Sequence, residues 1–172
     1  LDAIDGSAFH LYSAIFSYEY ASYIARKIKE SNPSEPYSIG IVCPYKKQAD
    51  SIKQMIEMRD ISNDSCKVYC GTVHSFQGDE CDIMIIILNP PINVGLHSHV
   101  NNQNIINVAV SRAKDYIFFL VPDCRTQGFP TREVLGKMSG DNKNVLFCNK
   151  IEKVMFGQED YILQHTNVSC HM

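Results

Sequence analysis

Between Tyr18 and Lys29 the apolar positions Ala21, Ile24, Ala25 and Ile28 recur at helical spacing, with Arg26, Lys27 and Lys29 on the other side. That pattern predicts an amphipathic helix. SNPSEP, Ser31 to Pro36, breaks it, and SIGIVC, Ser38 to Cys43, is a short apolar run closed by Pro44, which predicts a buried strand. Helical spacing returns at Ala49, Ile52 and Ile56, and a second strand is expected over Lys67 to Cys70. The polar loop GTVHSFQGDEC then leads into DIMIIIL, which is apolar on both faces and so fits the centre of a parallel sheet.

After a long loop, Asn89 to Gln103, the residues Ile105, Val108, Ala109 and Arg112 share one helical face, and YIFFLV predicts a further strand. Strands alternating with helices give an α/β fold, a parallel sheet flanked by helices on both sides. Beyond Pro122 the signal thins: VLFC reads as an edge strand and KIEKVMF as a short helix. The 172 residues suit one domain, with a core over about 38–121.

Composition narrows the setting. No stretch of about 18 uncharged apolar residues occurs, and the run Ile83 to Leu88 has the length of a buried strand, so no membrane association is expected. The first residues lack a basic leader and an initiating methionine, and the chain reads as part of something longer. Seven scattered cysteines without a CxxC pair point to a reducing, cytoplasmic location. A net charge of -3 argues against coating nucleic acid by bulk electrostatics, yet a local groove can still be positive.

Two clusters carry chemistry, GTVHSFQGDE at Gly71 to Glu80 and NVAVSRAK at Asn107 to Lys114. Each is expected beside a core strand, where open α/β sheets bind ligands. Thr72, His74, Ser75 and Gln77 are neutral hydrogen-bonding groups suited to a sugar-phosphate chain. Arg112, expected on a helix at the rim of the core, can grip phosphate with two parallel bonds. The bland alternatives are a structural ion pair for Arg112, local backbone bonding for His74 and a solvated charge for Glu80. Cys66, Cys70, Cys81, His97 and His99 lack the two tight ligand pairs of a zinc site, so structural thiols are expected. Lys46 and Lys47 read as a solvated face, and Phe76 as buried beneath its loop rather than stacked on a base.

Three blocks, IGIVCPYKKQ, TVHSFQGDE and NVAVSRAK, resemble motifs IV, V and VI of superfamily 1 helicases. The likeness runs from about Ile39 to Val121. It is closest to the branch holding the nonsense-mediated-decay helicase and its DNA-processing relatives. The resemblance implies a RecA-like fold, specifically the second motor domain. It implies that Arg112 reaches the γ-phosphate of ATP and that Glu80 engages the nucleotide sugar. Gln77 and Gly78 would shape the turn linking two sites, with Tyr45 and Gln48 near the nucleotide cleft. Thr72, His74 and Ser75 would hold a single strand of DNA or RNA.

The only Gly-Lys pair, Gly136-Lys137, has Thr131 where a phosphate-cradling loop needs its first glycine and Met138 where it needs Ser or Thr. In this family that loop belongs to the N-terminal RecA-like domain of the same protein, which would hold most of the ATP and its Mg2+. The chain alone is therefore expected to be inactive as an ATPase. Two other classes compete: a non-catalytic single-stranded nucleic-acid-binding or regulatory module, and a small-molecule enzyme on a doubly wound sheet.

Overall fold

The computed structural model describes residues 10–76, 80–88, 107, 110–121 and 144–166. Four parallel strands form one sheet in the order β2-β1-β3-β4: β1 is Tyr37–Cys43, β2 Cys66–Thr72, β3 Cys81–Ile87 and β4 Ala113–Leu120. This is the parallel α/β sheet that the alternating pattern predicts, consistent with the RecA-like fold that the resemblance implies. The two strands with continuous apolar runs, β1 and β3, occupy the centre, because only there are both faces of a strand covered. On the edge strand β2, exposed Lys67 and Tyr69 alternate with buried Cys66, Val68 and Cys70.

Helices α1 (Leu11–Ser31) and α2 (Lys46–Arg59) cover one face. There Ile39, Ile41 and Cys43 of β1 and Ile83, Ile85 and Ile87 of β3 pack with Ala14, Phe16, Ala21 and Ala25 of α1 and Ala49 and Ile52 of α2. Full burial of each isoleucine contributes about 1.5–3 kcal/mol, which makes this layer the main source of stability. On the other face Val42, Met84 and Ile86 pack with Phe76 and with Ile117 and Phe119 of β4.

The first helix starts earlier than its apolar spacing indicates. His10 caps it, its ring nitrogen accepting from the Ser13 amide at 3.1 Å, and Asn32 closes it in the left-handed conformation at φ 47°. Ser13 and Ser17 occupy buried positions in the added turns and interrupt the hydrophobic period. Tyr12, Phe16 and Tyr20 stack along α1, and Tyr20 meets Phe118 of β4 edge-on at 5.3 Å.

The expected edge strand at VLFC is not formed. Residues 144–147 lie outside any strand, and Cys148 opens helix α3 (Cys148–Phe156), followed by the short α4 (Tyr161–His165). The helical preference of the following residues prevails, since Ile151, Met155 and Phe156 reach the core at helical spacing. Glu152, fully buried, holds these helices to α1: it accepts from the Tyr12 hydroxyl at 2.5 Å and from the Ile162 amide at 2.8 Å. Burial and the neighbouring Glu152 carboxylate push the Tyr12 hydroxyl well above its ordinary pKa. No helix among the described residues is long and apolar enough to cross a membrane.

Candidate functional site

Strand β2 ends at Thr72, and the chain turns at once. The Thr72 carbonyl accepts from the Ser75 amide at 2.9 Å, the Phe76 amide at 3.3 Å and the Ser75 hydroxyl at 2.8 Å. This tight turn exposes His74 and Ser75 while sending Phe76 down onto the sheet. Gly40 and Gly71 leave room for that ring: a Cβ would come within 3.1 Å of it at Gly40 and 3.2 Å at Gly71. Phe76 is thus a core residue, as its loop position predicts.

A cleft of about 330 Å³ opens between the carboxyl ends of β1 and β2 and the first half of α2. Thr72, His74 and Ser75 line one wall, and Lys46, Asp50 and Lys53 the other. The three residues expected to hold a strand are brought together. Sequence reasoning missed Lys53 and set Lys46 aside as a solvated charge. The signal was present: positions 46, 49, 50 and 53 repeat at i, i+3, i+4 and i+7, one face of a helix. Lys46 is exposed and nonetheless borders the cleft.

A second cleft, about 600 Å³, lies on the other side of the same turn. Lys53 and Ser75 line it too, together with Tyr69, Phe76, Glu80 and Lys114. Nearby, the Asp82 carboxylate joins the starts of β1 and β3, accepting from both the amide and the hydroxyl of Ser38 at 2.7 Å. Lys114 stands 3.7 Å away. Burial alone would raise the Asp82 pKa, but the Ser38 hydrogen bonds and the Lys114 charge outweigh it and hold the carboxyl below its usual range.

Arg112 is not on a helix. It sits in the turn after the helical residue Val110, because its carbonyl accepts from the Cys81 amide at 2.9 Å and so extends the β3–β4 ladder backward. Arg112 and Glu80 therefore stand at the amino ends of β4 and β3, not at the carboxyl edge where Thr72 lies. The backbone of Arg112 is anchored, whereas its Nε is buried and has no partner among the described residues. Glu80 is exposed.

Tyr45 and Gln48 belong to the carboxyl end: Tyr45 follows β1 and caps α2, and Gln48 lies in the first turns of that helix. Gln48 is fully buried, and neither amide atom finds a hydrogen-bond partner among the described residues. Gln77 and Gly78, the long loop from Asn89 to Gln103, His97, His99 and the Gly136-Lys137 pair lie outside the described residues. The described cysteines 43, 66, 70, 81 and 148 are free thiols. Cys43 and Cys70 approach to 3.8 Å under α2, and this contact, followed by burial, raises the Cys43 pKa. Burial pushes Cys66 up to about 11.

A family profile described as an AAA domain matches residues 10–123. Among curated proteins, the replicase polyprotein 1ab of Alphamesonivirus 1 is 38% identical over 85 residues, covering 49% of this chain and 2% of that protein. A Danio rerio protein carrying a helicase name, mov-10-B.1, is 37% identical over 94 residues, 46% of this chain and 9% of its own. The uncharacterized ATP-dependent helicase MG140 of Mycoplasma genitalium is 29% identical over 111 residues, 55% of this chain and 10% of its own. The chain spans no more than a tenth of the length of these relatives.

Proposed function

The chain belongs to the AAA domain family, and from that premise we propose that it is the second motor domain of an ATP-dependent superfamily 1 helicase, built on one RecA-like domain. The observation that carries this reading is Arg112, whose backbone is fixed by Cys81 and whose buried Nε lacks a partner among the described residues. A buried guanidinium nitrogen without a partner among the described residues is costly, which supports a ligand at this edge of the sheet. A phosphate group fits its planar, permanently charged fork.

In this reading Arg112 acts as an arginine finger when the N-terminal RecA-like domain of the same protein closes over ATP and Mg2+. ATP supplies the γ-phosphate whose developing charge the guanidinium meets. Glu80, exposed beside Arg112 at the amino edge, accepts hydrogen bonds from the nucleotide sugar. Gln77 and Gly78 would, as the resemblance implies, link the nucleotide site to the strand site. Tyr45 and Gln48 stand near the nucleotide cleft. Thr72, His74 and Ser75 hold the backbone of single-stranded DNA or RNA.

The helicase names of two relatives support the motor reading. Their branch, the absence of ATPase activity in the chain alone and a cytoplasmic location are part of the proposal. The test is strand-stimulated ATPase of the full-length protein carrying Arg112→Ala and Arg112→Lys, with melting temperature recorded alongside. A finger predicts a fall in kcat of about 10³- to 10⁵-fold for Ala. Lysine should recover little, because it restores the charge without the fork. A loss below tenfold in folded Ala variant returns Arg112 to a structural role.

A further inference from the structure

The two clefts adjoin. Lys53 and Ser75 line both, so they stand between the wall that carries Thr72 and His74 and the cleft beside Tyr69 of the edge strand β2. Tyr69 is 51% exposed on an edge strand, its ring bordering the second cleft. Met58 is more exposed still, at 84%, but borders neither cleft. Neither Lys46 nor Lys53 has an ion-pair partner among the described residues, whereas Lys114 is engaged with Asp82.

We propose that the strand-binding groove extends around β2, with Tyr69 as a stacking platform for one base and Lys53 as the phosphate contact between the two clefts. The inference rests on reading Thr72, His74 and Ser75 as backbone contacts. Cations interleaved with an exposed aromatic are what a single strand needs, since phosphates follow the charge and any base can stack on the ring. The orientation follows from the far wall. Glu80 repels phosphate, so the base enters the second cleft while the backbone stays at Lys53 and Lys46. Asp50, on the same helix face as both lysines, limits the net charge and keeps this contact modest.

The experiment is fluorescence anisotropy on the full-length protein with two probes, a labelled oligodeoxythymidine and a strand of equal length made of abasic sites. Stacking worth about 1–3 kcal/mol predicts that Tyr69→Ala weakens oligodeoxythymidine binding by about 5- to 150-fold. Binding of the abasic strand should be unchanged, and Tyr69→Phe should match the parent protein. Lys53→Gln should lower the slope of log affinity against log salt by about 0.7 on both probes. Oligodeoxythymidine affinity untouched by Tyr69→Ala, or equal losses on both probes, overturns the platform. If Thr72→Ala with His74→Ala weakens binding while Tyr69→Ala does not, only the extension falls. A parent protein that binds neither probe removes the extension together with the reading beneath it.

Discussion

The ring of Phe76 rests on Gly40, where an added Cβ would lie 3.1 Å from Cε1, 3.0 Å from the Cys81 sulfur and 2.6 Å from that of Met84. The turn after β2 is thereby pinned to the centre of the sheet, and the exposed His74 and Ser75 that precede Phe76 inherit its fixed position. Gly40→Ala is expected to cost about 1–3 kcal/mol through overpacking. Phe76→Ala should cost about 3–5 kcal/mol through the cavity it leaves. Thermal midpoints, falling about 2–4 °C for each kcal/mol, provide the check. A neutral Gly40→Ala would mean that the ring is not held there.

Asp82 gives the domain an acid sensitivity of definite sign. Its folded pKa is depressed, so its contribution is complete above the unfolded value of about 3.9 and is lost as pH falls below that toward the folded value. Asp82→Asn keeps the shape but weakens the bonds from Ser38, at an expected cost of about 1–3 kcal/mol at neutral pH. Denaturation of both proteins between pH 7 and pH 3 should show the gap closing only at the acid end. A constant gap would assign the loss to geometry rather than charge.

Glu152 joins α1 to the carboxyl-terminal helices, and its removal takes the acceptor from the buried Ile162 amide and from the part-buried Tyr12 hydroxyl. Glu152→Ala is expected to cost about 2–5 kcal/mol, and Glu152→Gln less, because an amide oxygen still accepts one of the bonds. Hydrogen exchange at Ile162 is the specific readout. Its amide should lose protection in Glu152→Ala, while amides at the centre of β3 keep theirs. Loss spread evenly across both would show that α3 and α4 are not a separate unit of stability.

How far the sequence carried the fold depended on where burial was complete. β1 and β3 were legible because apolar runs at the middle of a parallel sheet have no polar face to confuse the period. The start of α1 was hidden by Ser13 and Ser17, buried polar residues at core positions. VLFC misled because a short apolar run fits strand or helix, and its last residue, Cys148, belongs to α3. Within the candidate site, the turn residues Thr72, His74 and Ser75 were found by type. Lys53 was not, since nothing local to it says which loop α2 faces. The edge at which Arg112 sits also escaped, because it depends on the β3–β4 register, set by pairs such as Cys81 with Ala113 and Ile83 with Tyr116 that are far apart in the chain.

That register yields the last prediction. Thr72 ends β2 at one edge of the sheet, and Arg112 precedes β4 at the other. Seven residues of β3 at about 3.3 Å each put those edges about 20 Å apart. At that spacing, direct contact between the two groups and a common ligand atom is excluded, so their defects should separate. Thr72→Ala with His74→Ala removes neutral hydrogen bonds worth about 1 kcal/mol each, and should weaken single-strand binding by about 5- to 30-fold with kcat retained at saturating strand. Arg112→Ala should do the reverse, lowering kcat while leaving strand affinity within about twofold, the spread expected of independent sites. Phe76 anchors the turn that follows Thr72, so coupling through that turn would appear as a shared defect. The measurement is a double-mutant cycle on the full-length protein, read in both strand affinity and strand-stimulated ATPase. Additive losses support two independent sites. A coupling above about 1 kcal/mol would mean that the turn at Thr72 transmits strand binding to the arginine, and the two edges would have to be treated as one device.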